Sequence, residues 1–143
     1  MRKKRYFTVF VVLLFTCWIN AQTLTVEITN IKSKKGKIAV AVFKNNDDFI
    51  KEKPYFDNSY SKADLKCGTM KIKLKLKPGV YGITILDDEN NNGKPEYNFI
   101  GLPKEGYGFS NFFLRGINRP QFNDFDFVVG KNDKKVYVKM KYF

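Results

Sequence analysis

Histidine is absent from this 143-residue chain, and cysteine occurs only at positions 17 and 67. Without histidine there is no serine–histidine–aspartate or cysteine–histidine machinery, and no histidine-ligated zinc. Two cysteines 50 positions apart cannot make a four-cysteine zinc site. Long apolar runs are missing as well. The longest, Val9 to Ile19, has about eleven residues, where a transmembrane helix needs roughly 20. Acidic residues are few, 14 against 26 Lys+Arg, for a net charge of +12.

The short apolar run has a specific context. Met1-Arg2-Lys3-Lys4-Arg5 is basic, the run follows it, and Asn20-Ala21 places a small residue before Gln22. That order describes a secretory signal peptide over residues 1–21, cut after Ala21. A lipoprotein acylated at Cys17 fits poorly, because Thr16 stands where a small Gly or Ala belongs. The expected product is exported, periplasmic or extracellular. Removing 21 residues and the four basic side chains Arg2, Lys3, Lys4 and Arg5 leaves 122 residues at +8. Cys17 goes too, so the mature chain has no internal disulfide and relies on its core. A chain of this length buries roughly two-thirds of its unfolded surface, which suffices without staples. Cys67 is expected to be a small, partly buried residue.

Along residues 22–143 the dominant period is two. Leu24, Val26 and Ile28 alternate with Thr25, Glu27 and Thr29, and Ile38 to Phe43 is a more continuous apolar run. Met70, Ile72, Leu74 and Leu76 alternate with lysines 71, 73, 75 and 77; Pro78-Gly79 then leads into Val80 to Leu86. Phe125 to Val129 and Val136 to Met140 close the chain around a Gly130-to-Lys135 turn. Alternation punctuated by Gly, Pro and Asn predicts an all-β fold: one antiparallel β-sandwich of about seven strands. A single helical turn is expected near Asp47 to Lys51, capped by Asn45 or Asn46 and ended before Pro54. Asn45 to Gly68 reads as a connection crossing between the sheets, and Gly101 to Phe122 as a long Gly- and aromatic-rich loop. The lysine stripe reads as a solvated face or edge strand, where lysines oppose edge-to-edge association. With no recognised motif and an export leader, nucleic acid is not an expected partner.

The segment Asp87-Asp88-Glu89-Asn90-Asn91-Asn92-Gly93-Lys94-Pro95-Glu96 carries chemistry. Counted from Asp88, it reads D-x-N-x-N-G-x-x-E. Asp88, Asn90 and Asn92 place oxygens at positions 1, 3 and 5, Gly93 allows a sharp bend, Lys94 offers its carbonyl, and Glu96 closes the set. These are hard oxygen donors in calcium-loop order, with an affinity expected near 0.1–1 mM. Position 12 is Phe99, so the bidentate Glu of an EF-hand is missing, and a strand precedes the loop. The competing reading is a plain Asx-rich turn.

Three clusters together resemble a known family: Gly79-Val80-Tyr81-Gly82-Ile83, Asp88-Glu89-Asn90-x-Asn92-Gly93-Lys94, and Gly101-x-Pro103-x-Glu105-Gly106-Tyr107-Gly108-Phe109-Ser110-Asn111. Over about residues 24–143 the chain is similar to the uncharacterised bacterial exported family called domain of unknown function 2141. The resemblance implies an immunoglobulin-like or transthyretin-like sandwich without established activity. A histidine commonly precedes the loop's first aspartate in that family; here the position is Asp87, while Glu96 replaces a frequent Asp.

Three functions follow as expectations. The preferred one is a non-catalytic exported module whose 88–96 loop holds Ca²⁺ and braces the 106–111 segment, with no other cofactor. The second is a carbohydrate-binding module that stacks sugars on Tyr97, Phe99, Tyr107 and Phe109, with Ser110 and Asn111 beside them on a ligand surface. The third is an envelope-polymer hydrolase using Asp87, Asp88, Glu89 or Glu96, disfavoured because four carboxylates crowd a hydrophilic turn. The partner would be an envelope polysaccharide or protein.

Overall fold

The structure is a computed structural model and describes residues 22–143; the expected leader, with Cys17, lies outside the described residues. Eight strands form two sheets: β1 Gln22–Thr29, β2 Lys37–Phe43, β3 Phe56–Ser61, β4 Met70–Leu76, β5 Gly79–Asp88, β6 Gly106–Phe109, β7 Asp126–Val129 and β8 Lys134–Lys139. Two short helices interrupt them, α1 Asn46–Ile50 and α2 Phe122–Phe125. One sheet has the order β4-β1-β8. The other runs β3-β2-β5-β6, with β7 also paired to β5. The all-β sandwich is therefore as the alternation predicts, and no described helix is long and apolar enough to cross a membrane.

The pleat sorts each strand. Leu24, Val26 and Ile28 of β1 meet Ile38, Val40 and Val42 of β2, Tyr81, Ile83 and Ile85 of β5, and Val136 and Val138 of β8 in one core between the sheets. On the far side of β4 the lysines at 71, 73, 75 and 77 are all exposed, on an edge strand, as their spacing implies. Lys71 and Lys135 flank Glu27 from both sides at 3.6 and 3.8 Å.

Eight strands agree with the expected count of about seven, and both long irregular stretches contain one. Three expectations are corrected. Only 62–68 of the Asn45-to-Gly68 stretch crosses between sheets; β3 lies on the β2 edge. Strand pairing is not wholly antiparallel, since β1 and β8 run parallel from Leu24↔Lys134 to Thr29↔Lys139. The 130–133 turn carries the chain from one sheet to the other, so β8 reaches β1 as a crossover rather than as a hairpin. Cys67 is exposed rather than partly buried. It occupies, with Gly68, the centre of a tight turn closed by reciprocal Lys66–Thr69 bonds of 3.0 and 2.9 Å. Both central residues have positive φ, 47° and 71°, the geometry of a type I′ turn, whose tip faces water. The helical turn forms as expected, with Asn45 capping through its side chain to the Asp48 amide at 2.8 Å.

One charged group interrupts the core. Asp87 continues the inward-facing series of β5 and is fully buried. Its carboxylate binds the buried Lys62 ammonium and accepts the Tyr142 hydroxyl at 2.6 Å. Lys62 also donates to the carbonyls of Ser33 and Lys35 at 3.1 and 2.6 Å, tying the 32–36 turn to β5. Burial, and then the bond to Asp87, push the Tyr142 phenol well above its ordinary range, so it stays a donor. Removing one partner of such a pair strands the other. Asp87→Ala is expected to lose about 3–5 kcal/mol in urea unfolding. Tyr142→Phe, which removes one hydrogen bond to a charge, is expected to lose about 1.5–3 kcal/mol.

Candidate ligand pocket and acidic loop

The outer face of the five-stranded sheet is built from the residues between the core-facing ones. Register sets them in two rows across four strands: Ser59, Ala39, Leu86, Tyr107, and Asp57, Ala41, Thr84, Phe109. The two alanines leave a trough between an aromatic side and an oxygen-bearing side. A second cluster of Phe43, Phe49, Phe109, Phe122 and Phe125 closes one end of this face. Phe49 stands edge-on to Phe125 at 4.9 Å, and the Arg119 guanidinium lies over the Phe49 ring at 4.3 Å. Arg119 also donates to the Phe49 carbonyl at 2.7 Å and approaches Glu52 at 3.6 Å. Residues of the 93–103 segment also line this face. The open cleft has a volume of about 440 Å³ and is lined by both rows together with Pro95, Tyr97, Leu114 and Ile117.

Of the four aromatics expected to stack on a ligand, three line this pocket: Tyr97, Tyr107 and Phe109. Phe99 does not; it is 99% exposed. The Tyr97 phenol is pushed upward, by burial first and then by the Glu52 charge, while Arg119 opposes the shift. That places Tyr97 electrostatically next to the Glu52–Arg119 pair. Ser110 and Asn111, expected beside the aromatics, are engaged elsewhere. Ser110 is fully buried; its hydroxyl donates to the Phe125 carbonyl at 2.6 Å and accepts the Ile83 amide at 2.9 Å. The Asn111 side chain accepts the Tyr137 amide at 2.9 Å.

The segment around Ser110 joins the two sheets. Inward-facing Gly106 and Gly108 have no room for a side chain: a Cβ on Gly106 would lie 2.2 Å from the Tyr142 ring, and one on Gly108 2.5 Å from Val138. Glycine there lets β6 approach closely enough for reciprocal Tyr107–Lys141 bonds of 3.0 and 2.7 Å.

The 88–96 loop starts at Asp88 on the pocket side of β5. Asp88 accepts the amides of Asn92 and Gly93 at 3.1 and 2.9 Å. Asn90 accepts the Asn92 amide at 3.0 Å, and Asn92 accepts the Lys94 amide at 2.8 Å. The amide of Asn90 donates across the loop to Glu96 at 3.1 Å. Gly93 bends the loop at φ 71°, with open space around it, so backbone conformation and not crowding calls for glycine. The spacing thus brings Asp88, Asn90, Asn92, Lys94 and Glu96 onto one small loop. Among the described residues, no three acidic, cysteine or histidine side chains gather as a metal cluster. Asp87 faces away into the core, and Glu89 accepts the Ser33 hydroxyl at 2.8 Å.

Spacing alone does not reveal Glu105. Antiparallel pairing of β5 with β6 reaches Asp87↔Gly106, and one further step sets Glu105 opposite Asp88. It is 8% exposed, and both its carboxylate oxygens are buried without a hydrogen bond. Burial raises its pKa most; the backbone N–H of Asn90 lowers it, the charges of Asp88 and Glu96 raise it further, and the backbone N–H of Glu89 lowers it, although neither N–H meets hydrogen-bond geometry to the carboxylate. The signal in the sequence was a glutamate one residue before a strand, visible only once the strand's register is known.

A family model described as an uncharacterized protein conserved in bacteria, domain of unknown function 2141, matches residues 26–137. No curated protein and no solved structure matches the chain.

Much of the 106–111 segment is explained by the joint between sheets. Ser110→Ala leaves the Ile83 amide and the Phe125 carbonyl without their hydroxyl, so a loss of about 2–3 kcal/mol is expected. Hydrogen exchange checks it at a single position: the Ile83 amide should exchange faster in the variant.

Proposed function

The chain belongs to this family of uncharacterised proteins conserved in bacteria, and we propose that it is an exported, non-catalytic module that binds neutral carbohydrate in the pocket on the outer sheet face. Export rests on the basic and apolar leader of residues 1–21. The observation that carries the binding role is the trough itself. Ala39 and Ala41 of β2 and Leu86 and Thr84 of β5 lie between Tyr107 and Phe109 on one side and Asp57 and Ser59 on the other, so a carbohydrate laid across the trough would find an aromatic surface at one side and hydrogen-bonding oxygens at the other. About 440 Å³ lies in the range of small-ligand sites, and a mostly apolar lining with a few placed polar groups is their usual chemistry.

Binding fits better than hydrolysis. The pocket's carboxylates are Asp57 and Glu52, both exposed, and Glu52 is committed to Arg119. Neither lies in an apolar enclosure of the kind that keeps a catalytic acid protonated. The loop carboxylates first considered for hydrolysis are held by Lys62, by backbone amides or by Ser33, apart from Glu96, which is bonded to Asn90.

A panel of soluble envelope glycans and peptidoglycan fragments, titrated against the protein, tests the reading. Tyr107→Ala should weaken binding about tenfold or more, the equivalent of roughly 1.4 kcal/mol. Phe99→Ala, outside the pocket, should bind as wild type does. If the wild-type protein binds no glycan in the panel, the carbohydrate reading is wrong.

A further inference from the structure

Glu105 poses a physical problem that the fold alone does not solve. Its two carboxylate oxygens are buried and unpartnered, and the side chain is more than nine-tenths covered. A buried carboxylate is costly unless it is paired, hydrogen-bonded or bound to a metal. Its neighbours make matters worse. The strand register sets it opposite Asp88, itself 2% exposed, and like charges directly opposite on a sheet repel. Lys37, which pairs with Asp88 from β2, makes no ion pair with either carboxylate among the described residues. Two adjacent buried acids therefore face the 88–96 loop with no positive charge assigned to them.

We infer that Asp88 and Glu105 together with the side-chain oxygens of Asn90 and Asn92 and the carbonyl of Lys94 form a calcium site, in which Glu105 supplies the carboxylate that an EF-hand would place at position 12. The loop's own sequence ends the ligand series without the carboxylate an EF-hand places at position 12, where Phe99 stands. Cross-strand pairing delivers a carboxylate to the same place by another route. The donors are all oxygens, two of them anionic groups and the rest neutral, and they sit on an irregular loop. That mixture suits Ca²⁺, which takes six to eight oxygens in flexible geometry, better than Mg²⁺, which demands a near-ideal octahedron. Glu96, bonded to Asn90, would steady the amide that turns the Asn90 oxygen inward. The cation would also fix the wall of the pocket, because Gly93, Pro95 and Tyr97 follow directly from the loop. The inference stands without the sugar reading: glycan binding can fail while calcium binding holds.

Calorimetric titration of Ca²⁺ into the protein, with melting curves in EGTA and in 5 mM Ca²⁺, decides the matter. One site with a dissociation constant near 0.1–1 mM is expected, with a melting point about 4–9 °C higher in calcium. Magnesium at the same concentration should give less than half that shift. Glu105→Gln should lose at least tenfold in calcium affinity while melting in EGTA no lower than wild type, because it removes an uncompensated charge. No calcium heat or shift in wild type would overturn the site. So would an equal response to magnesium, or wild-type affinity in Glu105→Gln. Should that variant fail to fold, the exposed Asn90→Ala and the half-buried Glu96→Gln carry the test, and unchanged affinity in both overturns it.

Discussion

The pleat of β5 runs unbroken to Asp88, and it divides two neighbouring aspartates between the two faces of one sheet. Asp87 turns inward, where burial in the sandwich forces it to find Lys62 and Tyr142. Asp88 turns outward and opens the loop beside the pocket. Adjacent identical residues thus receive unrelated tasks, because a side chain's face in a strand is fixed by the parity of its position. Were the register to slip by one, the buried ion pair and the loop's anchor would exchange faces, and neither would find its partners.

The same strand organises the edge of the sheet. β5 has ten residues, and its second edge is shared: β7 pairs with Gly79 to Gly82 and β6 with Thr84 to Asp87. The chain must leave this edge and return to it, and the returning segment brings Phe122 and Phe125 onto the outer face. Ser110 fastens the join, bonding at once to β5 and to the residue before β7. A face that would be solvated in a simpler sandwich is instead partly covered, with a phenylalanine cluster at one end and the trough in its middle. Burying those rings favours the covering segments, at roughly 1.5–3 kcal/mol for a fully buried phenylalanine.

Pocket and loop are thereby one construction. The two alanines in β2 make depth, Tyr107 and Phe109 in β6 make a wall, and the trough is lined further by the chain between β5 and β6. The first eight residues of that chain, 89–96, complete the acidic loop that Asp88 opens at the end of β5, and its last before β6 is Glu105. Any ligand that orders the loop also orders the adjoining segment that includes Tyr97. A cation at the loop and a ring in the trough would therefore support each other, each lowering the entropy cost of the other.

Strands β1, β4, β5, β7 and β8 are legible in the sequence because one face of each is buried, so apolar residues return at every second position, and β2 is legible as a continuous apolar run. β3 is not: Phe56–Ser61 is an edge strand, mostly exposed on both faces, and leaves no alternation to read. Nor is β6, four residues with two glycines whose reason is contact with Tyr142 and Val138 of distant sequence. The loop oxygens at 88, 90, 92 and 96 are local and could be counted; Glu105 could not, since only strand register carries it to Asp88. The parallel pairing of β1 with β8, the exposure of Cys67 and the alanine-floored pocket belong to the same class. By itself the sequence determined the sandwich and the loop, because periodicity and turn chemistry act over a few neighbouring residues. Which carboxylates meet, and which aromatics share a cavity, was decided only by tertiary structure, because those neighbours are set by sheet pairing between segments far apart in the chain.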